Sequence, residues 1–324
     1  MVSTVRIRCV PTLFLVDELP YLPSANIPFR FQMIPVCDVQ YSKGRGRFGL
    51  TKVGVNGVMK PVRIVRKDDG NELNQTLLCS IDVCVDLPAT QKGSHLSRNV
   101  EAIRALIDEC ASNPVESIDG FVVRLGKLLL EKHEYAETAY VSMETTYFKD
   151  SVTPNGRSTL EGYSITAEAE ASRGDSVRKT LTAEVIGMSA CPCAQQTVTE
   201  MLGCTDEWPV MTHNQRNICT VSLTTDESYD IPLNNLIDNI EKCFSSPTFE
   251  LLKRDDEGAM VINAHRNTKF VEDVVRDTLS MLVSEYDYLP DYTEVWVRSE
   301  SEESIHKHNA FAERSAYLGD LREE

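Results

Sequence analysis

The stretch YSITAEAEASRGDSVRKTLTAEV, residues 163–185, carries the pattern from which the fold follows. Apolar and polar residues alternate in strict period two over residues 163–171, and the alternation resumes over residues 181–185. Such alternation is typical of β-strands that bury one face. We therefore expect strands on both sides of residues 172–175, where two halves of the chain meet.

Strand signals surround a helical region in the first half. Asn56 and Gly57, placed between valines, predict a hairpin turn. Residues 62–65 and 80–85 continue the strand pattern, and Ser94 is suited to cap a following helix. Apolar residues then recur at helical spacing in two segments. These positions are Leu96, Val100, Ile103, Ile107 and Cys110, and then Ile118, Val122, Leu125 and Leu129.

The second half repeats this order of elements. Strand patterns at residues 181–185 and 219–223 precede two helical patterns and a late strand. The helical positions are Leu233, Leu236, Ile237, Ile240 and Phe244, and then Val271, Val274, Thr278 and Met281; the late strand holds Val295 and Val297. We expect an α+β protein with two similarly built halves, residues 37–175 and 176–324, related by architecture rather than by sequence identity. Residues 1–36 have no assigned role.

The composition indicates a soluble globular protein. Hydrophobic residues make up 42% and charged residues 25% of the 324 residues. The formal net charge of −16 argues against a nucleic-acid partner, because phosphates require a basic footprint. No apolar run is long enough to span a membrane, so no membrane association is expected. Ten cysteines without a signal peptide indicate thiols in a reducing cytoplasm.

Some short motifs suggest chemistry, and each also has a plain structural interpretation. Residues 44–49 match G-x-G-x-x-G, but a β pattern rather than a helix follows, which excludes a dinucleotide site. Cys191 and Cys193 are by default two free cysteines, and a regular strand would turn both sulfurs to one side. His213 follows Cys191 by 22 residues. Alone it is a hydrogen-bonded loop histidine, but with a thiolate it suits a shared metal ion.

Three charged segments follow these motifs. Residues 251–257, LLKRDDE, are most simply a solvated turn between the two late helices. Residues 269–273, KFVED, open the last of these helices, where acidic side chains are favoured by the helix dipole. Residues 301–308, SEESIHKH, form an exposed polar stretch after the late strand if they are taken alone.

Taken together, these segments resemble one enzyme family. GMSACPCAQQ, THNQR, LLKRDDE, KFVEDVVRD and ESIHKHNAFA stand in the order and near the spacing of the metal-dependent GTP cyclohydrolases of the tunnelling fold. That family includes bacterial type IB enzymes and archaeal enzymes of the MptA type. The first half adds DVQ, LTKVGV, DLPATQKGSHLSRNVE and HEYAETA. The resemblance spans residues 37–317, and five motifs in order are more specific than any one of them.

The resemblance implies an architecture and an activity. Family members have two tandem tunnelling-fold units per chain, each an antiparallel sheet with two helices. They form homo-oligomers, dimers or tetramers, with active sites at subunit interfaces. They hydrolyse the guanine ring of GTP at C8, release formate and reclose the product as a dihydropterin. For the archaeal branch the expected product is 7,8-dihydroneopterin 2′,3′-cyclic phosphate, formed with diphosphate for methanopterin synthesis.

The resemblance also implies roles for individual residues. Cys191, His213 and Glu257 match the metal ligands, and three protein ligands with an open position are typical of a catalytic site. The expected ion is Fe(II), one per subunit, with Zn(II) or Mn(II) as substitutes. Cys191 and His306 are the expected catalytic residues, His306 transferring protons, and Glu303 accepts the N1–H and 2-amino groups of guanine. The further expected substrate residues are the acid Glu272 and, for the triphosphate, Lys253, Arg254, Arg216, Lys92 and Arg98.

Three alternatives stay open. A bacterial type IB enzyme would keep the triphosphate on the product, but such enzymes tend to continue with Ser-Lys after the second cysteine. A nitrile reductase of the same fold would use a nucleophilic cysteine and a nicotinamide cofactor, which the pair Glu303 and His306 fits partly. A non-catalytic purine- or pterin-binding module is disfavoured, because the residues that match the catalytic site are intact.

Overall fold

One antiparallel sheet organises the part of the chain that the computed structural model describes, which is residues 39–324 without residues 41, 43, 45, 69–70, 175–176 and 204–208. Its strands are β1 (Leu50–Asp68), β2 (Asn71–Leu87), β3 (Thr138–Val152), β4 (Ser158–Ser172), β5 (Val177–Ala190), β6 (Asn214–Asp226), β7 (Ser246–Pro247), β8 (Glu294–Ser301) and β9 (Ala310–Tyr317). The sheet order is β1-β2-β3-β4-β5-β6-β8-β9, and β7 pairs with β5. The segment 1–36 and Asp38 of the DVQ motif lie outside the described residues.

Helices accompany this sheet. They are α1 (Leu96–Cys110), α2 (Ile118–Lys132), α3 (Pro192–Leu202), α4 (Leu233–Lys242), α5 (Arg254–Arg266), α6 (Val271–Glu285) and α7 (Leu318–Glu323). Burial alternates along β4, and its buried positions join residues of α1, α2, α4 and α6 in one hydrophobic core. Helices therefore cover one face of the sheet. The α+β class expected from the alternating stretch is confirmed.

The hairpin predicted at Asn56 and Gly57 is wrong. β1 runs for 19 residues without a turn, and its register against β2 shifts between Val55 and Val58. Gly57 has a φ of +67°, and its N–H donates to Asp82 Oδ1 at 2.6 Å. The same left-handed backbone that favours Asn-Gly in a turn also serves a β-bulge. The Asn-Gly pair therefore correctly indicates a left-handed backbone at Gly57, but this backbone forms a β-bulge rather than a hairpin turn.

Helix starts show a second difference from the sequence-based expectation. Ser94 was expected to cap α1, but His95 occupies the N-cap and no side chain caps the helix. The Ser94 hydroxyl instead lies 2.7 Å from the Tyr135 hydroxyl. By contrast, α2 begins as a capped helix, because Ser117 Oγ accepts from the N–H of Gly120 at 3.0 Å. The Ser94 side chain therefore bonds to Tyr135 in a buried polar contact and does not cap the helix.

Residues on both sides of the turn at Arg173 and Gly174 share the sheet and the core. β4 and β5 pair from Ser164 opposite Glu184 to Ala171 opposite Val177. The Arg173 guanidinium donates to the carbonyls of Leu130, His133 and Ala136 at the end of α2. Lys179 of β5 and Asp119 of α2 form a buried ion pair at 2.6 Å. The strands on both sides of the meeting point expected from the sequence therefore pair with each other and share one core.

Two helices lie where the sequence shows no helical periodicity. Residues 251–257 were interpreted as a charged turn, but α5 begins at Arg254. None of the residues of α3 is buried, and α5 buries only Asp256 and Ala264. Helices that barely contact the core have no apolar stripe to reveal them. Among the described residues, no helix is long and apolar enough to cross a membrane.

Candidate active site

The end of β5 and the start of β6 bring Cys191 and His213 together. The two strands pair up to Ala190 opposite Asn214, and the N–H of Cys191 donates to the carbonyl of His213 at 3.0 Å. The Thr212 hydroxyl adds a hydrogen bond to the Cys191 carbonyl at 2.7 Å. The sequence-based prediction that these two residues, 22 positions apart, lie across a loop from each other is consistent with this placement.

Cys191 and Cys193 face different surroundings. Cys191 is the N-cap of α3, where its Sγ accepts from the N–H of Ala194 at 3.4 Å, and Pro192 starts the helix. Cys193 lies in the first turn of α3 and is exposed, whereas Cys191 is partly buried. The alternative of a regular strand through both cysteines is wrong, because β5 ends at Ala190. Of the two cysteines, Cys191 is therefore the one that the structure pairs with His213 at the end of the sheet.

Glu303 is linked to His213 by hydrogen bonds of the Gln215 side chain. The Gln215 side chain lies 2.9 Å from His213 Nδ1, and its Nε2 donates to Glu303 Oε1 and to Ser189 Oγ, both at 3.4 Å. Glu303 Oε2 is 3.9 Å from His213 Nδ1, and the two side chains are only 11% and 14% exposed. The Glu302 N–H donates to the Arg216 carbonyl and ties the loop after β8 to β6. The sequence-predicted acid and histidine therefore meet in a largely buried pair.

Cys191 and His213 fit the donor set of a transition metal. Because the amide oxygen of Gln215 can only accept, the short contact requires a proton on Nδ1 of His213. The other ring nitrogen, Nε2, has no hydrogen-bond partner among the described residues. Such a hydrogen bond to the distant ring nitrogen is the usual arrangement for a metal-ligating histidine. A partly buried sulfur and a free imidazole nitrogen suit Fe(II) or Zn(II).

Glu257 lies elsewhere in the same chain. α5 begins at the turn between β3 and β4, where Asp256 accepts from the Asn155 N–H at 3.0 Å and from Arg157. It ends at the candidate site, where His265 contacts Asn214. Glu257 is eight residues before His265, or about 12 Å along the helix axis. Accordingly, the described residues of one chain contain no group of three His, Cys, Asp or Glu side chains arranged to hold a metal ion.

The other expected site residues are exposed. His306 lies in the loop between β8 and β9, where its ring stacks on that of His308 with centroids 5.2 Å apart. Glu272 is in the first turn of α6. Arg216 of β6 is exposed, whereas its neighbour Asn217 is buried, so the two project to opposite faces of the sheet. Lys253 and Arg254 stand exposed at the start of α5, with Glu257 and away from Cys191.

The motifs around the site contain residues that individual spacing did not single out. Gln195 Nε2 donates to the carbonyls of Val210 and His265 at 3.1 and 2.7 Å, which joins α3 to the end of α5. Asn214 Nδ2 lies 3.1 Å from His265 Nε2. Burial lowers the pKa of His265, so the neutral ring accepts this hydrogen bond. The only sequence signal for Gln195, Asn214 and Gln215 was their place within CPCAQQ and THNQR.

The motifs of the first half form a separate buried polar cluster. His133 is fully buried, and its Nε2 lies 2.7 Å from Asn99 Oδ1 while its Nδ1 lies 3.0 Å from the Tyr135 hydroxyl. Burial, with the nearby Arg98 charge, lowers the pKa of His133 to about 4. Arg98, expected at the triphosphate, donates to the Lys132 carbonyl at 3.1 Å. Lys92, with the same expected role, is exposed.

Comparison with known proteins gives a consistent result. Residues 36–312 match a family model described as type I GTP cyclohydrolase folE2. Over 311 residues the chain is 41% identical to GTP cyclohydrolase MptA 1 of Methanocella arvoryzae, with 91% of this chain and 97% of that protein covered. It is 42% identical over 294 residues to GTP cyclohydrolase MptA of Methanosphaera stadtmanae, covering 85% and 93%.

Similar solved structures include two enzymes that share little sequence with this chain. One is a uricase from Arthrobacter globiformis, with 8% identity and a TM-score of 0.48 over 84% of this chain and 95% of that chain. The other is a urate oxidase from Bacillus sp. TB-90, with 12% identity and a TM-score of 0.47 over 83% and 100%.

Proposed function

Since this chain belongs to the type I GTP cyclohydrolase folE2 family, we propose that it is a GTP cyclohydrolase of methanopterin biosynthesis. The proposed products are 7,8-dihydroneopterin 2′,3′-cyclic phosphate, formate and diphosphate. Three relatives of 39–42% identity are GTP cyclohydrolases of the MptA type, and they are covered over 93–99% of their length. The cyclic phosphate is specific to that branch and rests on this likeness.

The observation that carries the proposal is the meeting of Cys191, His213 and Glu303 at one end of the sheet. The Cys191 N–H donates to the His213 carbonyl, and His213 Nδ1 lies 3.9 Å from Glu303 Oε2, with both of these side chains largely buried. Hydrolysis of a purine ring requires a way to activate water and a group that orients the base. Cys191 and His213 suit the first task as metal ligands, and Glu303 suits the second.

We propose that Cys191, His213 and Glu257 hold one Fe(II) per subunit, with Zn(II) or Mn(II) as substitutes. When bound, such an ion supplies Lewis acidity for hydrolysis at neutral pH. Because Glu257 stands about 12 Å along α5 from the end of that helix at the site, we propose that a second copy of the chain supplies it. The protein is then a homo-oligomer, a dimer or tetramer, with active sites at subunit interfaces.

The chain's own groups have separate tasks in this proposal. The carboxylate of Glu303 accepts the N1–H and the 2-amino group of guanine, which orients C8 away from the acid. His306, exposed in the loop after β8, gives and takes protons once the substrate is bound. Glu272 is a further acid near the substrate. Lys253, Arg254 and Arg216 are the cations proposed to hold the triphosphate.

We also propose the assignment of the chain to two tunnelling-fold units, residues 37–175 and 176–324, and a cytoplasmic location. The order strand, strand, helix, helix, strand, strand over residues 50–172 supports the first unit. Residues 177–317 keep that order with α3, β7 and α5 inserted. Most of the proposed site residues lie in the second unit.

The activity is tested by mixing anaerobically prepared Fe(II) protein with GTP. Pterin fluorescence reports ring closure, and a phosphorus NMR spectrum identifies the ester. We expect a cyclic phosphodiester signal with free diphosphate. An intact triphosphate ester would instead assign the chain to the type IB activity. Absence of any pterin would refute the proposed function.

The metal ligands are tested by substitution and by subunit mixing. His213→Ala should lose bound metal, measured by elemental analysis, with an unchanged far-UV circular dichroism spectrum; full metal occupancy would contradict the assignment. Cys191→Ala and Glu257→Ala should each be inactive alone. Mixed subunits of a symmetric dimer should regain roughly a quarter of the wild-type rate, because half of the dimers are mixed and each has one intact site. No recovery on mixing would place Glu257 in the same chain as Cys191.

A further inference from the structure

The Gln215 side chain contacts both His213, a proposed metal ligand, and Glu303, the proposed acceptor for guanine. Its side-chain amide contacts His213 Nδ1 at 2.9 Å, Glu303 Oε1 at 3.4 Å and Ser189 Oγ at 3.4 Å. An ionised carboxylate can only accept hydrogen bonds, so the amide NH2 group must face Glu303. The amide oxygen therefore faces His213 and accepts its Nδ1 proton.

The backbone around Gln215 makes this contact a fixed one. Gln215 is paired with Ser189 in the β5–β6 ladder, and the Ser189 side chain is buried with 1% exposure. The NH2 group is thereby shared between a cross-strand hydroxyl and Glu303. A strand position with three partners restricts the amide to one orientation, and His213 and Glu303 take their orientation from it.

We infer that Gln215 is a positioning residue of the proposed GTP cyclohydrolase reaction. Its oxygen holds His213 in the tautomer whose Nε2 is available to a metal ion, and its NH2 group keeps the Glu303 carboxylate turned toward the substrate. It touches neither the ion nor the guanine in this role. This inference rests on the proposed function, since it assigns Gln215 to the same site.

The chemistry of Gln215 allows its two contacts to be separated by substitution. Leucine removes both contacts and keeps a similar volume. Glutamate keeps an acceptor for His213 Nδ1–H, as in the carboxylate–histidine–metal arrangement, but sets a second carboxylate against Glu303. Gln196, exposed on α3 and bonded only to Glu200 among the described residues, offers the matched control Gln196→Leu.

Two affinities are measured for each variant, neither of which depends on turnover. Competition with a chromogenic chelator gives the affinity for Zn(II), and calorimetry gives the affinity of the metal-free protein for GTP. For Gln215→Leu we expect a loss of about 10–100-fold in Zn(II) affinity and of about tenfold or more in GTP affinity. For Gln215→Glu, Zn(II) affinity should stay near the wild-type value while GTP affinity falls. Gln196→Leu should match the wild type in both.

The outcomes separate a positioning role from a general structural one. Wild-type affinities in Gln215→Leu, or equal losses of Zn(II) affinity in the leucine and glutamate variants, would overturn the inference. If Gln215→Leu does not fold, the glutamate variant decides alone, since unchanged GTP binding in it refutes the contact with Glu303. A wild-type protein that forms no pterin from GTP refutes the proposed function instead. An active wild type with unaffected Gln215 variants refutes only the role of Gln215.

Discussion

The buried histidine of the first half makes the stability of this protein depend on pH. His133 is fully buried between Asn99 and Tyr135, with both ring nitrogens in hydrogen bonds. Asn99 Oδ1 can only accept, so Nε2 carries the proton and Nδ1 accepts from the Tyr135 hydroxyl. A second proton on the ring would leave Nδ1 facing a hydroxyl that already serves it as donor. Burial and the Arg98 charge accordingly lower the pKa of His133 from 6.5 to about 4.

The size and sign of the effect follow from this shift. Above pH 6.5 the histidine is neutral in both the folded and the unfolded chain and has no effect on the free energy of unfolding. Between pH 6.5 and 4 the unfolded chain binds a proton that the folded chain does not, so the free energy of unfolding decreases as the pH is lowered. The loss amounts to about 2 kcal/mol between pH 7 and pH 5 and to about 3 kcal/mol below pH 4.

Urea unfolding at pH 7 and pH 5, followed by far-UV circular dichroism at one protein concentration, measures this loss. His133→Gln keeps a donor for Asn99 but cannot be protonated, so its stability should fall by about 2 kcal/mol less than that of the wild type. His308→Gln, which replaces an exposed histidine, should keep the wild-type difference. The reasoning is refuted if His133→Gln and the wild type lose the same free energy over this interval.

Two further predictions concern the core and the proposed site. Asp119→Ala should lower the free energy of unfolding by about 3–5 kcal/mol, because it leaves the Lys179 ammonium buried without its partner. The double variant Asp119→Ala/Lys179→Met should recover part of this loss. No recovery in urea unfolding would contradict the explanation. Glu303→Gln should weaken GTP binding by about 1–3 kcal/mol, since one donor of guanine is left unpaired. His306→Ala should keep GTP binding and lower kcat by about 10²–10⁴-fold. Equal losses of GTP binding in the two variants, measured by calorimetry, would argue against separate roles.

The elements that the sequence predicted are those whose apolar residues face one shared core. Alternation along β4 and helical spacing along α2, α4 and α6 report directly which side chains are buried. The hairpin at Asn56 and Gly57 failed because a left-handed glycine fits a bulge as well as a turn. α3 and α5 were missed because a helix with almost no buried residues has no apolar period to display.

The candidate site was predictable in its residue types but only partly in its geometry. Cys191, His213 and Glu303 come together because β5, β6 and β8 are neighbours in the sheet, which local patterns do not reveal. The role of Gln215 could not be predicted from motif spacing, because it depends on which side chains its amide contacts. Glu257 illustrates the opposite case, since its motif was recognised while its distance from Cys191 within one chain depends on α5, a helix that the sequence did not predict.

Three histidines of this chain show that hydrogen-bond occupancy, rather than sequence position, separates structural from reactive side chains. In His133 both nitrogens are engaged in hydrogen bonds and the ring is fully buried, so neither nitrogen is available to a ligand. In His213 an acceptor takes the Nδ1 proton, and the other nitrogen keeps a lone pair for a ligand. His306 lies exposed and its ring stacks on that of His308. A ring with one nitrogen held and one unengaged is already oriented for its ligand before that ligand binds, and in this chain Gln215 creates that state for His213.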